Sequence, residues 1–181
     1  MTPDRDNIRF NVLRNALYHT ARRMHFERLN RMFNFAVVIL GAGAMGDVFA
    51  RIGVDLIWIG AAIAAIGALQ LVLDFGRMAR DHQQLQRDYY HLLAEIESAA
   101  SDDPKLCAEW YAQMIRITAD EPPVLRALDA KAFNDALDAT EIYPRSERLV
   151  LKPRHMLLGW LFAFEGSDFS KNSEVATAKK S

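Results

Sequence analysis

The sequence predicts an all-α membrane protein: a two-helix transmembrane hairpin with an N-terminal amphipathic helix and a C-terminal cytoplasmic helical domain. Three observations carry this. Between Met32 and Gly76 only Asp47, Arg51, Asp55 and Asp74 are charged, although the 181-residue chain carries 22 basic and 23 acidic side chains. That segment holds two apolar runs, Met32–Ala50 and Leu56–Leu73. The flanks repeat apolar residues at three- and four-residue spacing, punctuated by helix-breaking residues. The chain therefore divides into a basic amphipathic helix (1–31), the hairpin (32–73), a cytoplasmic helical region (74–139), a C-terminal segment with a short apolar run (140–166) and a disordered tail (167–181).

Phe10, Leu13, Leu17, Ala21 and Met24 form the apolar stripe of the first helix, with Arg9, Arg14, Arg22 and Arg23 largely beside it, and Thr2, Pro3 and Asp4 supply its start. Such a helix either lies on anionic lipid or packs against the soluble helices. The runs MFNFAVVILGAGAMGDVFA and LIWIGAAIAAIGALQLVL would each span roughly 27–28 Å as helices, just enough for a bilayer core of about 30 Å. The short connection Arg51–Asp55 forces them antiparallel. Phe33, Phe35, Phe49 and Trp58 stand near the water boundaries. Arg5, Arg9, Arg14, Arg22, Arg23, Arg28 and Arg31 precede the first run, and Arg77, Arg80 and Arg87 follow the second; the loop has Arg51 alone. The positive-inside bias then places both termini in the cytoplasm and the loop outside, with the first run an uncleaved anchor.

Seven of the nine glycines lie between Gly41 and Gly76. Gly41, Gly43 and Gly46 complete a G-x-G-x-x-G within VVILGAGAMGD, which in a Rossmann domain brings backbone against a pyrophosphate. The context is wrong for that fold: Met32 continues a helical pattern, Val54–Leu73 is too long for an ordinary strand, and no alternating strands and helices follow. Small residues serve close helix packing instead, and Gly60, Ala64, Gly67 and Ala68 continue the pattern in the second run. The contacts are either within the hairpin or between subunits of a homo-oligomer. Asn34, Asp47 and Gln70 are polar groups in or near the hydrocarbon, solvated at the interface or facing a bundle interior.

Beyond Gly76 the spacing of Met78, His82, Leu85, Tyr89, Leu92 and Ile96 extends the second helix into the cytoplasm. Ser101, Asp102, Asp103 and Pro104 break it and start another helix through about Thr118. Asp120, Glu121, Pro122 and Pro123 break that one, and Val124–Ala139 is a further helix with Leu125, Leu128, Ala132, Phe133, Ala136 and Leu137 on its apolar face. Tyr143, Pro144 and Arg145 make a turn. RHMLLGWLFAF (Arg154–Phe164) is too short to span; it lies in the membrane interface or docks on the helical core. The polar stretch to Lys179, Lys180 and Ser181 reads as disordered.

No residue pattern points to catalysis, a cofactor or a metal. His19, His25, His82, His91 and His155 have no recognised zinc spacing, and there is no phosphate-binding loop or nucleophile elbow. Cys107 belongs to an apolar helical face, and Asp102 with Asp103 is a helix cap. A net charge of −1 removes the electrostatic case for nucleic acid. The expectation is a non-enzymatic protein whose first partner is the lipid bilayer.

Over Phe10–Ala139 the order of elements resembles the SLATT group, the two-transmembrane effectors of bacterial nucleotide-linked defence systems. The stretch ITADEPPVLRALDAKAFN (Ile117–Asn134) is similar to SLATT-like tails, with the break at Glu121, Pro122 and Pro123 and the pair Phe133–Asn134. The resemblance implies an oligomeric, pore-forming effector of antiviral abortive infection, gated through a nucleotide-producing or nucleotide-sensing partner protein. A membrane-anchored adaptor, or a prophage-encoded exclusion or assembly protein whose tail binds a cytosolic partner, has the same organisation.

Overall fold

The computed structural model describes residues 4–45, 51 and 53–178. It is all-α: α1 (Arg5–Met45), α2 (Leu56–Leu73), α3 (Phe75–Ser98), α4 (Pro104–Thr118), α5 (Arg126–Thr140), a 3-10 turn (Arg145–Glu147), α6 (Pro153–Leu158) and α7 (Asn172–Ala178). The chain forms two compact units. Unit 1 combines residues 1–22 with 82–181, and unit 2 is residues 23–81.

In unit 1, Asp4 starts α1 by accepting the Asn7 N–H at 2.9 Å, which satisfies one donor of the open first turn. The helix buries two faces. Ile8, Val12 and Ala16 pack with Tyr89, Leu92 and Ile96 of α3 and with Cys107 and Trp110 of α4. Phe10, with Leu13 and Leu17 beside it, packs on Ala136 and Leu137 of α5. The expected single stripe held only the second face, so the helix is a central element and not a surface one. Its arginines point to acids of the same unit: Arg5 to Asp102 at 2.8 Å, Arg9 to Glu97, and Arg14 to Asp129 through a two-pronged contact. Of the two expected settings for this helix, the structure has it packed against the soluble helices.

Asp103 caps α4 by accepting the Lys105 N–H, with Pro104 in the first turn, and Cys107 is a core residue. α5 buries Ala127, Ala130, Ala132, Asn134, Ala136 and Leu137. Its burial exceeds one stripe because the C-terminal segment covers a further side. Here the structure differs from the expected disordered tail. Val150 N–H donates to Ser170 O at 2.9 Å, and Asn172 N–H to Arg148 O at 2.9 Å. Lys171 reaches Glu147 at 2.5 Å. Backbone pairing and one ion pair thus hold 167–178 where composition alone predicts none; residues 179–181 lie outside the described ones.

In unit 2, Phe26, Phe75 and Ala79 form a small core with Leu29, Phe33 and Leu73. The ring of Phe75 stacks between those of Phe26 and Phe33, with centroids at 6.4 and 5.3 Å. Gln70 donates to Asn34 Oδ1 at 2.9 Å, so two of the polar groups expected near the hydrocarbon satisfy each other. Among the described residues one helical run, 56–98, is long and apolar enough to cross a membrane, where the sequence predicted two. The first apolar run is described only to Met45. That part continues a helix whose preceding turns carry Arg28, Arg31 and Asn34.

The run 56–98 is interrupted at Asp74, which adopts a left-handed conformation (φ 38°). Its N–H donates to Gln70 O, ending α2, and its carboxylate accepts the Arg77 N–H at 2.9 Å, starting α3. One residue thus caps both helices. The expected extension of the second apolar helix runs to residue 98 with one interruption: a non-glycine residue holds a positive φ there, at a steric cost offset by the two caps.

Candidate functional site

The polar interior of unit 1 lies at the end where its two chain segments leave it. α1 brings Tyr18, His19 and Arg22, its last turn within the unit. α3 brings His82, the first residue of the second segment, and Tyr89 two turns on. The end of α4 brings Thr118, and the connection to α5 brings Glu121.

His19 and His82 are both buried, and their Nδ1 atoms are 2.8 Å apart. Tyr89 stacks on the His19 ring, with centroids 5.7 Å apart and planes 11° apart, and Tyr18 meets the same ring edge-on at 5.2 Å. On the far side of His19, Nε2 lies 3.1 Å from Glu121 Oε1, off the line of a good hydrogen bond. The same carboxylate accepts the Tyr89 hydroxyl. Tyr89 OH also lies 2.8 Å from Thr118 Oγ1, which is 3.0 Å from the Met114 carbonyl. The Tyr18 hydroxyl accepts the Leu125 N–H at 3.0 Å.

Two Nδ1 atoms in contact need one N–H and one lone pair, and either ring can supply the N–H. One tautomer set has the His19 proton on Nε2, toward Glu121, and His82 donating from Nδ1. Tyr89 donates to the same carboxylate. Burial pushes His82 down to about 3, with smaller contributions from His19 and Arg22, so it is neutral near pH 7. Burial and the Glu121 hydrogen bond push the Tyr89 hydroxyl up. Burial likewise raises Tyr18 and lowers Arg22. A low-dielectric cluster of this kind strengthens its own hydrogen bonds and penalises any added charge.

The cluster ties three elements together. Among the described residues no three His, Cys, Asp or Glu side chains converge on one point. The geometric reason is that His82 and Glu121 occupy opposite nitrogens of the same ring. A separate cleft of about 470 Å³ is lined by Arg126, Asp129, Leu149, Asp168, Phe169 and Glu174, among others. Asp129 there is held by Arg14.

The residues singled out in the sequence scatter. Glu121 belongs to the histidine cluster. Pro122 and Pro123 are exposed in the non-helical connection, where missing N–H groups cost nothing. Phe133 meets the Phe10 ring edge-on at 5.0 Å, under the Arg14 guanidinium. Asn134 is buried elsewhere, clamping Leu149: its amide donates to Leu149 O at 2.9 Å and its carbonyl accepts Leu149 N–H at 2.8 Å. Gly60, Ala64, Gly67 and Ala68 are exposed, and Gly41 and Gly43 half-buried. A methyl group added at Gly41, Gly60 or Gly67 would meet nothing within 4 Å. Gly46, Asp47 and Phe49 lie outside the described residues.

Sequence reasoning missed the His19–His82 pair. The available signal was a histidine inside each of two apolar helical patterns, which by itself reads as core. Comparison with protein-family models, with curated proteins and with solved structures finds no match to this chain.

Proposed function

We propose that the protein is a membrane-embedded effector that self-associates through its apolar hairpin and permeabilises the bilayer when assembled, as its resemblance to the SLATT group implies. The observation that carries the membrane reading is the surface of α2. It has no charged residue, and only Ile59 is buried. Leu71 and Val72 are 83% and 79% exposed. Each Leu, Ile, Phe or Val at the centre of a span favours insertion by roughly 0.3–0.6 kcal/mol, so lipid is the natural surrounding for this face.

The composition of unit 1 supports two crossings. Residues before and after the apolar segment fold together in that unit, which supports a reading with both flanks on one side of a bilayer. A chain that crosses once along α2 must cross back, and the Met32–Ala50 run is the segment with the composition to do so. The excess of arginine in the flanks places that side in the bacterial cytoplasm. The open positions at Gly41, Gly60 and Gly67 suit close approach of a second copy. In this reading the histidine cluster joins the two helices that run on into the apolar segment, and so links the tail to the membrane part. A nucleotide-producing or nucleotide-sensing protein acting on that tail would supply the trigger.

The test is expression in cells with membrane potential and dye entry recorded, alongside the oligomeric state in detergent. Loss of potential together with an oligomer supports the effector. The second reading, a membrane-anchored adaptor, draws on the pairing of Gln70 with Asn34, which leaves few polar groups to line a water path. An intact potential at every expression level, with a cytosolic protein captured by the full chain, selects the adaptor.

A further inference from the structure

We infer that the segment Lys152–Phe164 is a second, interfacial membrane contact: a foot of unit 1 that docks on an anionic lipid surface. The segment is anchored from beneath. His155 is buried between the edges of Phe164 and Phe169, at 4.9 and 5.1 Å. Gly159 lies so close to α5 that an added methyl would sit 2.9 Å from Ala127 Cβ. With that side fixed, the opposite side is apolar and open: Met156, Leu157, Leu161 and Phe162 are each more than half exposed. Six-residue α6 is far too short to cross a bilayer. A short apolar face held outward on a folded base suits the headgroup boundary, where such faces bury 5–10 Å deep.

Charge selects the occupant. From Arg148 to Phe164 there is no acidic residue, and Lys152 and Arg154 stand exposed at the start of the helix. These two cations border one end of the apolar face, with Glu165 and Asp168 following beyond the other, and positive charge beside an apolar face is complementary to anionic phospholipid. The foot is also fastened to the exit of the unit, since Arg22 Nη1 donates to the Trp160 carbonyl at 3.0 Å and Arg22 is the last residue that α1 contributes to unit 1. The inference rests on the membrane reading above. For an anchored chain even a weak interfacial contact is populated, because the anchor supplies a high effective concentration of lipid.

The experiment uses the full chain in phosphatidylcholine vesicles with or without phosphatidylglycerol, containing quencher-bearing lipids. An environment-sensitive maleimide dye is placed at Leu157→Cys, with Phe162→Cys as an independent second site. Native Cys107 is buried and does not compete for the dye. Leu71→Cys reports separately on the span. Lipid quenching at 157 and 162 that needs phosphatidylglycerol is the expected result. Lys152→Gln with Arg154→Gln should lower the docked-to-lifted ratio by roughly fivefold per residue. No quenching at 157 and 162 overturns the inference, and quenching at Leu71 in the same sample shows the span reading intact. Equal quenching with and without phosphatidylglycerol overturns the anionic assignment. Shielding of the dye that grows with protein concentration, without lipid quenching, overturns it in favour of a protein partner. If Leu71 is not quenched the span reading fails, and quenching at 157 still supports lipid docking by the foot.

Discussion

His19 and His82 face each other through Nδ1 at 2.8 Å across 63 residues of chain, and between those positions lies the entire apolar segment. Whatever alters this contact acts on both helices at the point where they leave the folded unit. Burial around this contact disfavours a charged His82. A histidine held near 3 when folded and 6.5 when unfolded takes up a proton preferentially in the unfolded chain. Its contribution to stability is complete above about pH 6.5 and is lost as pH falls toward 3, with a slope of at most about 1.4 kcal/mol per pH unit. Urea midpoints of the full chain in detergent should fall between pH 7 and pH 4.5. His82→Gln keeps a donor without the titration and should flatten that dependence. Identical pH profiles for parent and variant would rule the cluster out as a proton-sensitive joint.

Tyr89 and Tyr18 share the alkaline limb. Their raised hydroxyls contribute stability that is full below pH 10 and lost as pH rises beyond it. Tyr89→Phe should weaken this limb and leave the Glu121 carboxylate short of a donor. The expected cost is about 1–3 kcal/mol at pH 7, read as a shift in unfolding midpoint. A variant as stable as the parent would contradict the hydrogen-bond assignment.

Asn134 replaces a missing strand. Its amide pairs both polar groups of Leu149, as a neighbouring backbone would. Asn134→Ala should cost about 2 kcal/mol and speed hydrogen exchange at Leu149 before any effect on α1. Asn134→Asp, which cannot donate to the carbonyl, should be no better. Slow exchange at Leu149 in both variants would show that the clamp is not what orders the C-terminal segment.

The open glycines separate folding from assembly. A methyl group added at Gly60 or Gly67 meets nothing within 4 Å, and both positions lie outside unit 1, so with leucine there unit 1 should unfold at an unchanged midpoint. The same change should reduce self-association in detergent by at least tenfold if these positions lie between subunits. A monomeric parent protein at all concentrations, by light scattering, would remove the basis for assembly.

Sidedness is checked with single cysteines at Asp55 and Ser173, Cys107 being buried. An impermeant maleimide on intact cells should label Asp55→Cys and not Ser173→Cys. The reverse pattern contradicts a cytoplasmic unit 1.

The helical punctuation was legible because it is local chemistry: Asp103–Pro104 starts α4 and Pro122–Pro123 ends the run after it, as their spacing implies. What escaped the sequence was non-local. The face Ile8, Val12 and Ala16 looked incidental beside Phe10, Leu13 and Leu17, since nothing in a linear pattern says that a helix will be covered twice. Ser170 and Asn172 are polar and unremarkable until their backbone is paired to Val150 and Arg148. In the sequence Asp74 is one of four charges in the apolar segment; only the backbone reveals that it ends one helix and begins the next. Asn134 stood out by resemblance, and its task of holding a backbone segment became visible only with Leu149 beside it.

Unit 1 is assembled from two stretches of chain separated by residues 23–81, and this sets an order of events during synthesis. When Ile8, Val12 and Phe10 emerge from the ribosome, the residues that cover them have not been made. At typical elongation rates the intervening segment takes roughly 3–12 s to translate. During that interval the apolar run is itself being made, and it is complete before unit 1 can close. The gap in the fold therefore acts as a timer, holding the N-terminal helix open until residues 82–181 have been made.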